Sequence, residues 1–149
     1  MSRVLGVDLG SRRIGLAVSD PSGVLASPHA TLARGSDAAA DHLAIVSVAR
    51  EVGAERIVVG LPRSLSGELG PAARAALAEI DELRVVARAD GLELDTYDER
   101  FTTMIAQRNL RDANPRRTRR RRAQREQVDA AAAAVILQSW LEARGQADG

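Results

Sequence analysis

The order of its apolar runs constrains the fold of this 149-residue chain more than any other feature. Two short apolar runs, at 3–7 and 14–19, and a third extended stretch, at 24–32, open the sequence, with turn residues between them. Short apolar runs joined by tight turns are typical of antiparallel strands. Pro28 lacks a backbone donor and therefore places the third run at the edge of a sheet. The chain is predicted to begin with three antiparallel strands.

Helices and strands alternate after this opening. Apolar residues at helical spacing run from Ser36 or Asp37 to about Val52, where Gly53 ends the pattern. The later predicted elements are strand 56–59, helix 71–90, strand 92–97, a helix from Thr102 or Thr103 to about 110, and a last helix from Gln124. The order βββαβαβαα predicts an α/β fold, a five-stranded mixed sheet flanked by helices. One domain is expected over 1–144, with a polar C-terminal tail over 145–149.

Residues that are absent exclude several classes of protein. The chain has no cysteine, which excludes disulfide frameworks, thiol catalysis and zinc fingers, and which suits a reducing compartment. It shows no signal peptide and no apolar run of the roughly 20 residues that a membrane span needs, so we expect a cytoplasmic protein. All 21 basic residues are arginine, so a Walker A lysine and lysine Schiff-base chemistry are excluded.

Asp8 and Glu99 are the first candidate site residues. Asp8 lies in or just after an apolar strand, where an unpaired carboxylate costs several kcal/mol or changes its pKa. The alternative is an aspartate that caps the following turn. Glu99 follows the fifth strand, and α/β proteins bind ligands at the carboxyl ends of parallel strands. The alternatives there are a solvated acid paired with Arg100, or Asp98 in its place.

Asp129, in the last helix, is the third candidate. Its neighbours at i+4, i+7 and i+11 are Ala133, Ile136 and Trp140, which predicts that Asp129 shares their inward face. The alternative is an aspartate in the first helical turn that interacts favourably with the helix dipole.

Three acids from two strands and a helix can converge at one edge of a sheet. Clustered carboxylates cannot all stay charged without cations between them. Magnesium takes oxygen ligands and retains substrate phosphates and waters, so the pattern favours Mg²⁺, with Mn²⁺ as an alternative, and a phosphodiester substrate. Gly60 could leave room for a substrate beside Asp8, or could simply turn the chain.

An arginine-rich segment precedes the last helix. Its candidate nucleic-acid-binding residues are Arg116, Arg117, Arg119, Arg120, Arg121 and Arg122. Arginine binds phosphate oxygens without reading bases, so this segment would hold a polynucleotide near Asp129. The alternative is a solvated loop without a ligand. Because the chain has only three aromatic residues, recognition of backbone or shape is favoured over recognition of bases.

Four ordered segments resemble one known family. They are VDLGSRRIGLAVSD (7–20), VVGLPRSLSGELG (58–70), DERFTTMIAQRNL (98–110) and VDAAAAAVILQSWL (128–141). The chain resembles the bacterial YqgF family, also called RuvX, of pre-16S rRNA nucleases and Holliday-junction-resolvase-like proteins. The resemblance implies an RNase H-like fold and places the family's acidic triad on Asp8, Glu99 and Asp129. It departs from many relatives at Arg63–Ser66 and before Val128, where no lysine stands.

The resemblance implies a function in maturing the 5′ end of 16S rRNA. Cleavage of DNA junctions is the main alternative. A non-catalytic RNA-binding factor in ribosome assembly is another, and metal-dependent turnover on RNA would separate it from a nuclease. An ATPase of the actin or sugar-kinase type, suggested by the segment from Asp8 to Gly15, would need a second similar domain.

Overall fold

The structure, a computed structural model, describes residues 3–61, 71–99 and 121–148. Its elements are β1 (Arg3–Leu9), β2 (Arg13–Ser19), β3 (Ala26–Ala33), α1 (Ala38–Glu51), β4 (Ala54–Leu61), α2 (Pro71–Ala89), β5 (Glu93–Asp98) and α3 (Arg121–Asp148). All five predicted strands and three of the predicted helices are present. The helix predicted from Thr102 or Thr103 lies outside the described residues.

The strands form one mixed sheet in the order β3-β2-β1-β4-β5. β1, β2 and β3 pair antiparallel, whereas β1, β4 and β5 run parallel to one another. The predicted five-stranded mixed sheet is therefore confirmed, and so is the edge position of the strand that contains Pro28. The parallel pairing brings the carboxyl ends of β1, β4 and β5 to the same edge.

Each face of the sheet carries its own apolar core. On one face α1 packs against β4 and α2 against β5, and their core also contains the odd-numbered residues of β1, with Leu5, Val7 and Leu83 among the buried side chains. On the other face α3 packs through Ala133 and Leu137 against even-numbered positions of β1 and β4. Because successive strand residues point to opposite faces, Asp8 belongs to the α3 face.

Two boundaries differ from the predicted ones for physical reasons. β3 begins at Ala26 rather than at 24, because the Asp20 carboxylate accepts hydrogen bonds from the backbone amides of Val24 and Leu25 and holds them in a turn. α3 begins at Arg121, not Gln124, and continues to Asp148, through most of the predicted tail. Arginine and alanine favour helix, so neither segment opposes its extension.

No helix in the described part of the chain is long and apolar enough to cross a membrane.

Candidate active site

Asp8 lies between two glycines at the carboxyl end of β1. It pairs with Gly15 of β2, and the pairing of Val7 with Val59 places Gly60 of β4 at the next position on its other side. Both glycines are buried on the α3 face. The half-buried carboxylate of Asp8 therefore has no neighbouring side chain from either adjacent strand position.

The glycine on β2 lets α3 approach the sheet at Asp129. A Cβ atom on Gly15 would overlap the carbonyl oxygen and carbon of Asp129, so only glycine allows this contact. Asp129 lies about two turns after the start of α3, which rules out the alternative of a first-turn residue. Ala133 and Ile136 are buried on the same helix face, and Asp129 itself is half-buried. The predicted inward orientation of Asp129 is confirmed.

The glycine on β4 lies beside Glu99. A Cβ on Gly60 would lie 3.3 Å from Oε1 of Glu99, and it would also collide with the Ile136 side chain of α3. The Glu99 carboxylate is therefore half-buried against the α3 face of β4. Asp129 lies over β2 and Glu99 lies by β4, with Asp8 on the strand between them. Arg100, the alternative partner of Glu99, is outside the described residues.

The electrostatic environment of Asp8 is unfavourable to its charge. Burial, and secondly the neighbouring charge of Asp129, raise the pKa of Asp8 from 3.8 to about 6. Within the described part of the chain its carboxylate accepts no hydrogen bond and meets no cation. The turn after β1 is closed instead by the backbone amide of Gly10, which donates to the carbonyl oxygens of Asp8 and Arg13. The interpretation of Asp8 as a turn cap is therefore wrong.

Arg13 is a member of this site that the sequence analysis missed. Its Nε donates to Oδ2 of Asp129 at 2.5 Å. The two residues are 116 positions apart, and no sequence spacing indicated that they meet. Strand alternation does put Arg13 on the same face as Gly15, but only the packing of α3 shows which acid it contacts.

Arg34 fixes the turn that follows Asp8 and was also missed. Its Nε donates to the Gly10 carbonyl oxygen at 2.9 Å, and its two terminal nitrogens bind Glu79 of α2 at 2.5 and 2.8 Å. The buried His42 of α1 contacts the same carboxylate at 3.0 Å. The hydrogen bond from Arg34 is the main reason that the pKa of Glu79 lies below its ordinary value. This polar cluster ties the turn to both helices of the opposite face.

The carboxylates of this site are the type of ligand that a hard cation prefers. The described side chains alone do not complete the ligand set of a metal centre. Carboxylate oxygens are the preferred protein ligands of Mg²⁺, and a cation between Asp8 and Asp129 would relieve their repulsion. Among the residues that the structure describes, no three acidic, histidine or cysteine side chains are gathered closely enough to hold a metal ion.

Of the predicted nucleic-acid-binding arginines, Arg121 and Arg122 lie in the first turn of α3, and the other four lie outside the described residues.

Comparison with known proteins decides the family. A sequence model described as "RuvX: Holliday junction resolvase" matches residues 2–143. The chain belongs to the RuvX family. Relatives named "Putative pre-16S rRNA nuclease" include one from Nocardia farcinica, 44% identical over 95% of this chain and 78% of the relative. Another, from Moorella thermoacetica, is 41% identical over 97% of both chains. The resemblance recognised in the sequence is thus confirmed.

Solved structures confirm the RNase H-like fold of this RuvX-family chain. "T. thermophilus RuvC in complex with Holliday junction substrate" superposes with a TM-score of 0.60 at 15% identity, over 98% of this chain and 97% of that one. "Thermus thermophilus RuvC structure" gives a TM-score of 0.55 at 17% identity, over 97% and 96%. At such low identity the likeness supports the fold alone.

Proposed function

We propose that this chain is a divalent-metal-dependent nuclease that hydrolyses phosphodiester bonds and processes the 5′ end of pre-16S rRNA during ribosome biogenesis in the cytoplasm. One observation carries the proposal: the Asp8 carboxylate, without a partner in the described residues, lies next to Asp129 at a strand end lined by glycines. A structural aspartate would be hydrogen-bonded or solvated. Membership of the RuvX family and the name of the relatives support the same reaction.

Asp8, Glu99 and Asp129 are the residues that we assign to catalysis and to Mg²⁺, with Mn²⁺ as an alternative ion. When bound, such an ion supplies positive charge to the reacting phosphate and an activated water. The chain's own contribution is to hold the three carboxylates on rigid elements, two at strand ends and one on α3. Gly15 and Gly60 keep side chains away from the space beside Asp8.

The arginines from Arg116 to Arg122 complete the proposed site as a clamp for the polynucleotide backbone. Their charges attract phosphates without selecting a sequence. Arg121 and Arg122 begin the helix that carries Asp129. Phosphates bound by Arg121 and Arg122 would therefore lie near the amino-terminal end of α3, about two helical turns from Asp129.

The direct test compares two substrates with one enzyme preparation. Purified protein is incubated in Mg²⁺ with a fragment spanning the 5′ end of pre-16S rRNA and, separately, with a four-way DNA junction. We expect cleavage of the RNA, and loss of cleavage in excess chelator. RNA binding without any metal-dependent turnover would contradict a nuclease and would favour a non-catalytic assembly factor.

A DNA-junction resolvase is the second candidate function, and the description of the matching family as a Holliday junction resolvase favours it. The same experiment separates the two candidates, because a resolvase should cut the junction symmetrically and leave the RNA fragment intact. Equal cleavage of a linear duplex would contradict junction specificity.

A further inference from the structure

The candidate site contains two neighbouring carboxylates, those of Asp8 and Asp129, and the Arg13 side chain binds the second of them. Its guanidinium binds Asp129 at 2.5 Å, and the two side chains are 32% and 26% exposed. Arg13 lies two residues before Gly15 on the same face of β2, and Gly15 pairs with Asp8. The guanidinium is thus a built-in cation bound to Asp129, one of the acids that we assign to the metal.

The positive charge of Arg13 forms an ion pair with Asp129 but not with Asp8. Within the described residues the Asp8 carboxylate has no hydrogen bond or ion pair, whereas the Asp129 carboxylate is held by Arg13. A guanidinium carries a single charge and stays protonated throughout the accessible pH range, so it cannot leave Asp129 by losing a proton. A cation that binds Asp129, or an anion that binds Arg13, would compete with the pair.

We propose that Arg13 competes with the divalent metal for Asp129 and thereby sets the metal affinity of the site. The inference rests on the proposed function, because it assumes that Asp8 and Asp129 bind the ion. A divalent ion held by Asp8 and Asp129 would offset the charge of both carboxylates, so at sufficient concentration it would compete with the guanidinium for Asp129. Until then Arg13 stabilises Asp129 and raises the concentration of metal that binding requires.

Metal binding without substrate tests this inference. Free Mn²⁺ is measured by electron paramagnetic resonance while it is titrated with the full-length wild-type protein and with Arg13→Gln. Because the pair is half-exposed, we expect Arg13→Gln to bind Mn²⁺ about threefold to tenfold more tightly. The matched control is Arg12→Gln. Arg12 is exposed, forms no ion pair among the described residues, and loses the same charge, so its affinity should stay within about twofold of the wild type.

A second readout separates competition from a merely structural ion pair. In excess chelator Arg13→Gln should unfold at a lower temperature than the wild type, because the two carboxylates then repel each other without a nearby cation. Saturating Mn²⁺ should remove that difference. Arg13→Lys keeps the charge but not the planar fork, so its Mn²⁺ affinity should lie between those of the wild type and Arg13→Gln.

The outcomes distinguish this inference from the proposed function. Equal or weaker Mn²⁺ binding by Arg13→Gln, with normal binding by the wild type, overturns the inference and leaves the metal-dependent nuclease intact. If neither protein binds Mn²⁺, the assigned metal site and the inference both fail. Tighter binding by Arg13→Gln supports the inference even if neither substrate is cleaved, a result that would contradict only the proposed nuclease.

Discussion

At the scale of single residues, the placement of Asp8 is costly for the folded protein. Its carboxylate is half-buried beside another acid, and no described residue compensates its charge. Such an arrangement lowers stability unless an ion or ligand relieves it. The position of Asp8 is therefore better explained by function than by folding.

The stability of the protein in chelator should depend on pH through this residue. The pKa of Asp8 is about 6 in the folded protein and is expected near its ordinary 3.8 in the unfolded chain. The folded state therefore holds the proton more tightly, so the free energy of unfolding should fall as pH rises from about 4 to about 6. Asp8→Asn removes this effect and should be more stable than the wild type at pH 7 by about 1 to 3 kcal/mol. Urea unfolding in chelator across this range measures the difference.

Asp20 offers a control, because its pKa is shifted in the opposite direction from that of Asp8. Hydrogen bonds from Leu25, Ser22 and Val24 lower its pKa to about 2, so its contribution to stability is present above about 4 and is lost in acid. Asp20→Asn should therefore destabilise the protein at pH 7. An Asp8→Asn variant that is no more stable than the wild type at pH 7 would contradict the unrelieved charge of Asp8.

Sequence reasoning at this scale identified Asp129 but could not identify its partner. The apolar neighbours of Asp129 along the helix indicated which face it shares, because helical periodicity is local. The pairing with Arg13 depends on how α3 crosses β2, which no local pattern encodes. Glu99 and Asp98 could not be distinguished by periodicity either, and the resemblance to the RuvX family favoured Glu99.

At the scale of elements, the close approach of α3 to β2 controls the site. Gly15→Ala would push a methyl group against the backbone of Asp129, which cannot rotate away, so α3 must shift. We expect unfolding free energy to fall by about 1 to 3 kcal/mol and Mn²⁺ affinity and cleavage to decrease. Gly145→Ala in the same helix meets open space and should leave stability unchanged or raise it by up to about 1 kcal/mol. Normal stability and activity of Gly15→Ala would refute this account of the packing.

The polar cluster on the opposite face is a second link between elements. Glu79→Ala removes a half-buried carboxylate that binds Arg34 and His42, and should cost about 1 to 3 kcal/mol at pH 7. Since the pKa of Glu79 is lowered, this contribution should diminish as pH falls below its ordinary 4.5. Asp81→Ala breaks only an exposed pair with Arg84 on the same helix and should cost less than about 0.5 kcal/mol. Similar losses in the two variants, by denaturant unfolding, would argue against a structural role for the cluster.

Local patterns predicted these elements well and their ends less well. The alternation of apolar runs and turns predicted the order of the strands along the chain, and Pro28 indicated the edge strand. The start of β3 was misplaced, because it depends on side-chain hydrogen bonds from Asp20 rather than on hydrophobicity. The start of α3 was misplaced because Arg121 and Arg122 were assigned to a loop although arginine favours helix.

At the scale of the whole molecule, the arginines are expected to determine how the protein holds a polynucleotide. Changing Arg119 to Arg122 to serine should weaken binding and reduce the slope of log affinity against log salt by about 0.7 to 0.9 per lost phosphate contact. Turnover at saturating substrate should change less than affinity. The salt dependence of fluorescence anisotropy with labelled RNA measures the slope.

The matched control is a second fourfold variant, which loses the same four charges on the helices of the opposite face of the sheet. Its four substituted arginines, on α1 and α2, are Arg50, Arg74, Arg84 and Arg88. If binding depends on net charge alone, the two fourfold variants should weaken it equally. If the arginines at the start of α3 form a local clamp, the variant of Arg119 to Arg122 should change the salt slope clearly more than the control does. Equal changes of slope would contradict a local clamp.

The metal-binding role of Asp8 is tested most directly by single-turnover cleavage of the pre-16S fragment by wild type and Asp8→Asn in Mg²⁺, with RNA binding measured in parallel. The amide oxygen of asparagine is a weaker ligand for Mg²⁺ than a carboxylate, so we predict a loss of at least about a hundredfold in the cleavage rate. RNA affinity should stay within about threefold of the wild type, because the arginines carry binding. Cleavage by Asp8→Asn at the wild-type rate, or wild-type cleavage that persists in excess chelator, would contradict the assignment of Asp8, Glu99 and Asp129 as the metal-binding catalytic acids.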